Sequence, residues 1–378
     1  MRPARRCSSC SMPTLCAPGG CTWPARWPRS ALATCSSTRW PFPATAATTF
    51  RGRGTICTPP TGRPMQRCEV LVIGGGPAGS SCAATLRALG LDVLLIDQAV
   101  FPRDKVCAGW ITPAVVRILG LDLEDYRRNR VLQPILGLRT GLVGGRQQNH
   151  RYAEPVSWGI RRIEFDDYLL RRAGVPLRLG LAVRDIVRQD GLWVVNGCYA
   201  APMLVGAGGH FCPVTRLLEQ ARDAGAVVVA REAEFLMDEA QWRTCGVQAD
   251  TPELFFCHDL RGYGWCLRKN GYLNIGLGRE DRLGLPGHLH PFCRRLPHRG
   301  TLPANLEPAF RGHAYRLWGS GPARQVGDGV ALVGDAAGLA RSQSGEGILP
   351  AIASGQWAAH AIAQARGDYR AARLQPYE

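Results

Sequence analysis

The chain has 378 residues, a length that predicts about two domains, each large enough to bury a core. Hydrophobic residues make up 46%, and no apolar run reaches the roughly 18 residues that a membrane-spanning helix needs. The net charge is +16, of which nine Arg and no acidic residue in residues 1–64 supply +9. Because 44 of the 46 basic residues are Arg, this charge indicates a coding bias, and no nucleic-acid partner is expected.

Residues 1–64 differ from the rest of the chain. They hold ten Pro and six of the 15 Cys, and they show no helical or strand periodicity. Met65 begins a segment that runs directly into a buried strand, as a natural protein start does. We therefore predict that residues 1–64 are a disordered or misannotated extension. The pair Cys7-Ser-Ser-Cys10 lacks a second Cys or His pair, so no metal is predicted. A basic nucleic-acid binder built on this segment is the alternative.

A strand, a glycine-rich turn, a helix and a second strand then follow in chain order. Glu69–Ile73 has the pattern of a short buried strand. The segment Gly74-Gly-Gly-Pro-Ala-Gly79 is a GxGxxG turn, and Ser80–Leu89 is an apolar helix. Asp92–Asp97 is the second strand and ends in a carboxylate. This order predicts a Rossmann-like, dinucleotide-binding unit.

Each polar or glycine position of that unit has a physical role. Gly74 permits the tight turn, Gly76 lets the backbone approach a pyrophosphate, and Gly79 lets helix and strand pack closely. The amide groups at the helix N-terminus favour phosphate. Asp97 lies 18 residues after Gly79, where its carboxylate can accept hydrogen bonds from an adenosine ribose.

A second strand–turn–helix unit lies near the C-terminus. Val330–Val333 is a buried strand, followed by Gly334-Asp335-Ala-Ala-Gly338, and Ser344-Gly-Glu-Gly-Ile348 precedes a helix that runs to about Ala365. Such a turn can place a carboxylate on a ribityl chain and backbone amides beside a flavin ring. The alternative interpretation is an ordinary turn with a helix-capping Asp.

Five motifs occur in a fixed order, namely Gly74–Gly79, Phe101-Pro-Arg-Asp-Lys-Val-Cys-Ala-Gly-Trp110, Arg162-Ile-Glu-Phe-Asp166, Gly262-Tyr-Gly-Trp265, and Gly334-Asp335 with Gly345-Glu-Gly-Ile348. In this order they resemble the geranylgeranyl reductase family, within the flavoprotein group that includes para-hydroxybenzoate hydroxylase. The resemblance covers nearly all of residues 65–378. It implies an α/β fold with a Rossmann-like FAD-binding domain interleaved with an antiparallel-sheet substrate domain.

We place the boundaries of these domains from the pattern of strands. The FAD-binding domain is predicted at 65–134, 152–225 and 322–378, and the substrate domain at 226–321. The substrate domain is expected to contain the strands Val227–Met237, Leu254–His258, Tyr263–Lys269 and Tyr272–Gly278. A hairpin over Leu181–Asn196, turning at Gln189-Asp-Gly191, is expected within the FAD-binding domain.

The resemblance implies FAD as the cofactor, bound by the residues that match the motifs. These are Gly74, Gly76, Ala78 and Gly79 at the pyrophosphate, Asp97 on the adenosine ribose, Cys107 and Ala108 beside the ribityl chain and flavin, Arg162 at the start of its helix, Gly334 and Asp335 near the ribityl chain and pyrophosphate, and Gly347 and Ile348 at the flavin ring.

Four side chains are candidates for catalysis. Arg103 and Lys105 are suited to hold a phosphate, a flavin anion or an acidic substrate group, or they are solvated loop charges. His210 is a candidate general acid or a structural imidazole. Trp265, with Tyr263, is either part of an apolar wall for a prenyl chain or part of a half-buried sheet face.

The source of electrons stays open. The chain has no second Rossmann unit, and Gly209 stands where the hydroxylases carry Asp, so the electron donor is either NAD(P)H that docks transiently or a protein such as ferredoxin. Residues 65–378 contain nine Cys without clustered pairs, which indicates reduced thiols in the cytoplasm and argues against an iron–sulfur centre.

These observations predict an FAD-dependent oxidoreductase that transfers hydride from reduced flavin to a C=C bond of an isoprenoid or other apolar substrate. One alternative is an FAD-dependent monooxygenase of an aromatic or polyketide-like substrate, which shares the fold. Another is a truncated flavin-binding protein without turnover, since Glu378 follows soon after the flavin helix. With a prenyl substrate and a charge of +7 on residues 65–378, peripheral contact with a membrane is also expected.

Overall fold

The computed structural model describes residues 65–218, 226–298, 300, 302 and 308–377. The extension predicted at residues 1–64 lies outside the described residues. Within the described residues, the fold is a mixed α/β architecture with four β-sheets. The expected Rossmann-like fold is confirmed.

The strands of the described residues are numbered here in chain order. They are β1 (Gln66–Arg67), β2 (Val70–Ile73), β3 (Val93–Asp97), β4 (Trp110–Ile111), β5 (Leu132–Ile135), β6 (Gly137–Leu142), β7 (Gln147–Arg151), β8 (Ser157–Ile160), β9 (Leu177–Leu179), β10 (Ile186–Gln189), β11 (Leu192–Val195), β12 (Tyr199–Ala201), β13 (Met203–Gly206), β14 (Val227–Leu236), β15 (Glu253–Phe256), β16 (Gly262–Lys269), β17 (Tyr272–Arg279), β18 (Arg311–Arg316), β19 (Val326–Gly327) and β20 (Val330–Leu332).

The α-helices of the described residues are numbered in the same way. They are α1 (Pro77–Ala88), α2 (Pro113–Leu119), α3 (Leu123–Arg127), α4 (Arg162–Ala173), α5 (Glu239–Thr244), α6 (Leu285–His298), α7 (Ile348–Ala365) and α8 (Ala371–Leu374). Short 3₁₀-helices occur at Gly209–Phe211, Pro213–Leu217, Gly334–Ala336 and Gln375–Tyr377.

A six-stranded sheet forms the centre of the dinucleotide-binding part, in the order β19-β20-β13-β2-β3-β9. Its strands are parallel except for β19, which runs antiparallel to β20. The strands β2, β3 and β13 are fully or almost fully buried, as expected for a sheet that is covered on both faces. Because parallel strands end at the same edge, the turns after β2, β13 and β20 meet there.

A seven-stranded sheet faces that edge, in the order β18-β14-β17-β16-β15-β6-β7. It contains the four strands predicted within 226–321, and their predicted positions are confirmed. It also takes in β6 and β7, from a segment that the sequence analysis assigned to neither domain, with β6 parallel to β15. One face of the sheet packs against α6 through a core that includes Phe255, Ile275 and Phe292.

Two smaller sheets complete the fold. The predicted hairpin turning at Gln189-Asp-Gly191 is confirmed as β10 and β11, which pair with β12 and β1 in a four-stranded sheet. A three-stranded sheet of β4, β8 and β5 lies beside α4. The division of the chain into domain segments stays a prediction.

The helices α1 and α7 pack backbone against backbone. A Cβ placed on Gly355, in α7, would lie less than 3.0 Å from the carbonyl oxygen of Ala78, in α1. Only glycine fits such a close crossing, because any larger side chain would push the two helices apart. The contact brings the first turn of α1 and the start of α7 to the same edge of the six-stranded sheet.

No helix in the described part of the chain is long and apolar enough to cross a membrane.

The crossing of α1 and α7 gives a direct test of the packing. We expect Gly355→Ala to lower the free energy of unfolding by about 1–3 kcal/mol, because the added methyl group overpacks the interface. The control is Gly287→Ala in α6, where a Cβ would meet no described heavy atom within 4 Å. There the higher helix propensity of Ala should raise stability by up to about 1 kcal/mol. Urea titration of both variants checks this, and equal effects would contradict the packing argument.

Candidate active site

A cavity of about 570 Å³ lies between the edge of the six-stranded sheet and the seven-stranded sheet. Its walls come from the glycine-rich turn after β2, the end of β3, the loop 103–108, the start of α7 and three strands of the seven-stranded sheet. The cavity therefore collects segments that lie far apart in the sequence. Most of the predicted site residues line it.

The glycine-rich turn brings the N-terminus of α1 to the cavity. Gly74 has φ of +114°, and a Cβ there would lie less than 3.0 Å from the backbone of Ala207. A Cβ on Gly79 would clash in the same way with the carbonyl oxygen of Gly74. No side chain among the described residues caps α1 at Gly76, so its first amide groups are available to an anion.

Asp97, at the end of β3, is fixed by the backbone around it. One carboxylate oxygen accepts a hydrogen bond of 2.6 Å from the Gly75 amide, and the other accepts one of 2.7 Å from the Ala99 amide. Asp97 and Gly76 both line the cavity. The carboxylate thus braces the glycine-rich turn and presents a negative charge at the same end of the cavity.

Asp335, in the turn after β20, is the centre of an ionic cluster at the cavity. Its Oδ2 lies 3.2 Å from Lys105 Nζ and 3.6 Å from His313 Nε2. Burial opposes ionisation of Asp335, but the charge of Lys105 and the nearby His313 hold the pKa of the carboxyl well below its usual range. Burial also lowers the pKa of His313, so the imidazole is neutral at neutral pH. Asp335 is therefore an anion facing the cavity.

Arg162 begins α4 and is anchored by a fully buried acid. Its Nε and Nη2 atoms each lie 2.7 Å from one carboxylate oxygen of Asp166, and Arg103 Nη1 lies 3.0 Å from Asp166 Oδ2. Burial opposes ionisation of Asp166, but Arg162 and Arg103 keep its pKa below the usual value. Removing one member of such a buried set leaves the others uncompensated. The acid thus holds both arginines at the cavity wall.

Polar side chains of the seven-stranded sheet hold the loop that carries Cys107 and Ala108. Asn274 donates a hydrogen bond of 3.2 Å to the Cys107 carbonyl. Lys269 donates to the carbonyls of Ala108 and Ile160 at 2.9 and 3.0 Å and forms an ion pair with Glu234. Because these donors are buried, the loop is fixed against the sheet.

An aromatic wall forms the face of the seven-stranded sheet toward the cavity. Trp265 lies across Gly276 on the neighbouring strand, where a Cβ would lie less than 3.0 Å from the indole ring. Its indole nitrogen donates a hydrogen bond of 2.7 Å to Asn274. The centre of the Tyr263 ring lies 6.0 Å from that of the Trp265 ring, and the Tyr263 hydroxyl donates a hydrogen bond to the Ser344 carbonyl. Together with Tyr315 and Leu254, this wall is apolar.

The cavity brings together most, but not all, of the predicted residues. Its lining includes Gly76, Ala78, Asp97, Arg103, Lys105, Cys107, Ala108, Arg162, Trp265, Asp335, Gly347 and Ile348. Four predicted residues lie outside the lining, namely Gly74, Gly79, His210 and Gly334. At each of the three glycines a Cβ would lie less than 3.0 Å from another residue, and the centre of the His210 ring lies 4.7 Å from that of Phe211.

Sequence reasoning missed several residues of the lining. Glu232, Leu254, His313 and Tyr315 all line the cavity, and Glu232 is only 1% exposed. The pattern Ala230, Glu232, Glu234 along β14 was a usable signal, because alternate residues of a strand share one face. Two acids on one face of a mostly buried strand indicate a polar site.

The described residues also bring three potential metal ligands together, away from this cavity. Ligand atoms of Cys257, Asp259 and His288 all lie within 4.8 Å of one another. Arg279 already binds both carboxylate oxygens of Asp259, at 3.1 and 2.7 Å. The guanidinium occupies the position of a cation, so this cluster is explained as an ion pair.

The chemistry of the lining fits FAD. The free amides of α1 and the adjacent Asp97 suit an adenosine pyrophosphate, and Asp335 offers a hydrogen-bond acceptor to a polyol. The start of α7 at Ile348, which no side chain caps among the described residues, offers amide groups to an electron-rich ring edge. All of these groups line one cavity.

Known proteins similar to this chain include a Rossmann-like domain family and several reductases. The family model of the NAD(P)-binding Rossmann-like domain matches residues 72–103. Menaquinone reductase of Mycobacterium tuberculosis is 29% identical over 328 residues, which cover 78% of this chain and 76% of that protein. Digeranylgeranylglycerophospholipid reductase of Methanothrix thermoacetophila is 29% identical over 337 residues, which cover 82% of each protein.

Solved structures share the fold. A geranylgeranyl bacteriochlorophyll reductase-like protein from Thermoplasma acidophilum has a TM-score of 0.71 at 20% identity, and 83% of each chain is covered. A halogenase mutant in complex with FAD has a TM-score of 0.67 at 16% identity, covering 82% of this chain and 72% of that one. At such identities the likeness establishes the fold, and that fold accommodates FAD.

The described residues form a Rossmann-like fold with a single dinucleotide-binding sheet and a cavity whose lining suits FAD, as in flavin-dependent oxidoreductases. The predicted resemblance to the geranylgeranyl reductase family is confirmed, and both relatives described above are named as reductases.

Proposed function

We propose that this protein is an FAD-dependent reductase that saturates a C=C bond of an isoprenoid chain. The observation that carries this proposal is the arrangement of the cavity, where an anion-binding turn and Asp335 lie on one side and the aromatic wall of Trp265 and Tyr263 lies on the other. When bound, reduced FAD supplies a hydride to the substrate. The protein supplies orientation and an apolar environment.

The roles of the cofactor-binding residues follow from their positions. In this proposal, the amides of Ala78 and its neighbours hold the pyrophosphate, Asp97 the adenosine ribose and Asp335 the ribityl chain. The backbone of Cys107 and Ala108, fixed by Asn274 and Lys269, lines the flavin side. Gly347 and Ile348 present the start of α7 to the ring. Arg162 stays charged beside it, because its ion pair with Asp166 raises the pKa of the guanidinium despite burial.

The substrate assignment rests on the wall and on the relatives. Trp265, Tyr263, Leu254 and Tyr315 offer an apolar surface without a specific polar pattern, which suits a hydrocarbon chain. The relatives named above include reductases of menaquinone and of a digeranylgeranyl lipid. The electron donor in the proposal is NAD(P)H or a reduced ferredoxin, since the described residues contain one dinucleotide-binding sheet.

A monooxygenase is the second candidate, because an FAD-dependent halogenase, an enzyme class that uses oxygen, shares the fold. Anaerobic turnover separates the two functions. We expect the flavin of the anaerobically reduced protein to be reoxidised by geranylgeranyl diphosphate or a digeranylgeranyl lipid, with a product heavier by two hydrogen atoms for each reduced bond. Absorbance of the flavin and mass spectrometry of the lipid check this. Turnover that requires oxygen and adds an oxygen atom would favour the monooxygenase.

Asp335 provides a test of the cofactor site. We expect Asp335→Asn to weaken FAD binding about 10- to 100-fold, since a hydrogen bond to a charged group contributes about 1.5–3 kcal/mol. Asp368→Asn is the control, because that carboxylate is paired with Arg370 away from the cavity. Fluorescence titration of the apoprotein with FAD measures both affinities. Equal affinity in the wild type and Asp335→Asn would refute the assignment.

Peripheral contact with a membrane is part of the same proposal, because prenyl lipids reside there. Two aromatic side chains, Phe211 and Trp318, are 80% and 66% exposed. Each well-placed basic residue adds about 1 kcal/mol at an anionic surface. We expect co-sedimentation with anionic liposomes at low salt, weakened by the double substitution Phe211→Ser and Trp318→Ser. Absence of wild-type binding at low salt would contradict the contact.

A further inference from the structure

Glu232 is a buried acid in the wall of the cavity. It lies in the middle of β14, is 1% exposed, and contributes to the cavity lining. Its Oε2 atom is buried and has no hydrogen-bond partner among the described residues. Leaving a buried polar atom unpaired costs stability, and an apolar side chain would avoid that cost. Such a group therefore calls for a functional explanation.

The position of Glu232 is next to the aromatic wall. In the register of the sheet, Glu232 pairs with Gly276 on β17, and Gly276 pairs with Trp265 on β16. Paired residues share one face of a sheet. Because Gly276 has no side chain, the indole ring of Trp265 lies over it, and Glu232 is the next residue across the sheet on the same face. The acid thus sits where the proposed substrate chain would contact the wall.

The cations near Glu232 are engaged by other groups. Lys269 forms its ion pair with Glu234 and donates to two backbone carbonyls. Arg311, opposite Glu232 on β18, binds Asp104. The titratable and charged groups that face or adjoin this acid are Glu234 on its own strand, Lys269 on β16, Arg311 and His313 on β18, and Asp104, Lys105 and Cys107 on the loop 103–108.

The two acids of β14, Glu232 and Glu234, therefore have pKa values shifted in opposite directions. Burial raises the pKa of Glu232 to about 8. Glu234 and Asp104 add to this effect, while Lys269 and a hydrogen bond from the Cys107 backbone oppose it. For Glu234, burial is outweighed by Lys269, Asn274 and Arg161, so its pKa falls below the usual value. At neutral pH, one acid is a carboxylic acid and the other a carboxylate. Such separation is typical of sites that transfer protons.

We infer that Glu232 is the general acid that gives a proton to the double bond of the substrate. This inference rests on the proposed function. The double bond gains one hydride and one proton, so one carbon receives the hydride that reduced FAD supplies and the other receives the proton of the Glu232 carboxyl. The π bond and the O–H bond break, two C–H bonds form, the flavin is oxidised, and Glu232 is left as a carboxylate. Water restores its proton after the product leaves.

The first test needs no turnover. In infrared spectra of the oxidised, FAD-bound protein, the carbonyl band of a protonated carboxyl should disappear as the pH rises through about 8, and Glu232→Gln should lack that band. Folding stability gives a second readout. Between about pH 4.5 and about 8, the folded protein holds a proton that the unfolded chain has lost, so Glu232 makes stability fall as pH rises. Glu232→Gln should lose this component.

The second test uses turnover. We expect Glu232→Gln to slow reduction of geranylgeranyl diphosphate by about 10²–10⁴-fold, while FAD affinity and reduction of the flavin by its donor stay unchanged. The wild-type rate should fall above about pH 8, and the residual rate of the variant should not. The control is Glu239→Gln on the exposed helix α5, which should match the wild type in every assay.

The outcomes separate this inference from the proposed function. If the wild type reduces the prenyl chain and Glu232→Gln does so at the same rate, or if the infrared band does not titrate near pH 8, the acid role is overturned. If a reducible wild-type flavin transfers nothing to any prenyl substrate while the infrared band titrates as expected, the proposed function is overturned, and the proton-donor role falls with it.

Discussion

The close crossing of α1 and α7 at Gly355 is the constraint on which the rest of the site depends. It places two helix N-termini, at Gly76 and at Gly347, on the lining of one cavity. Each terminus carries unpaired amide groups and the positive end of a helix dipole. A pyrophosphate and an electron-rich flavin edge are the two parts of FAD that benefit from such groups. The crossing therefore sets the distance between the two cofactor-binding ends.

Charge is arranged differently on the two sides of the cavity. On the dinucleotide-binding side, ion pairs keep their members charged, as with Lys105 and Asp335 or Arg162 and Asp166. On the side of the seven-stranded sheet, Glu232 is buried next to Gly276 and Trp265, and the cations near it are bound by other acids. The low polarity that suits a prenyl chain is the same property that keeps this acid protonated. One wall thus serves both substrate binding and proton supply in our proposal.

The dinucleotide-binding unit was predictable because its signals are local. The strand β2, the glycine-rich turn, α1 and β3 follow one another within 28 residues. Each of these elements has a characteristic residue pattern of its own. The four strands within 226–321 were predictable for the same reason. The strands β6 and β7 were not, since much of Gly137–Arg151 is polar and partly exposed and shows weak alternation.

The candidate site was predictable only in part, because its contacts are long-range. Lys105 and Asp335 lie 230 residues apart in the sequence, and Asn274 and Cys107 lie 167 apart. The alternation along β14 was a signal that Glu232 shares a face with Ala230 and Glu234, and the sequence analysis did not use it. It gives no sign that the loop 103–108 is held against that face by Lys269 and Asn274.

A crystal structure of the protein with FAD and a saturated prenyl product would test this arrangement most directly. We expect the adenosine at Asp97, the ribityl chain at Asp335, the flavin ring at Ile348, and the prenyl chain against Trp265 with Glu232 beside its carbon atoms. A prenyl chain bound away from the Trp265 face, or FAD bound without contact to Asp335, would contradict the proposed site.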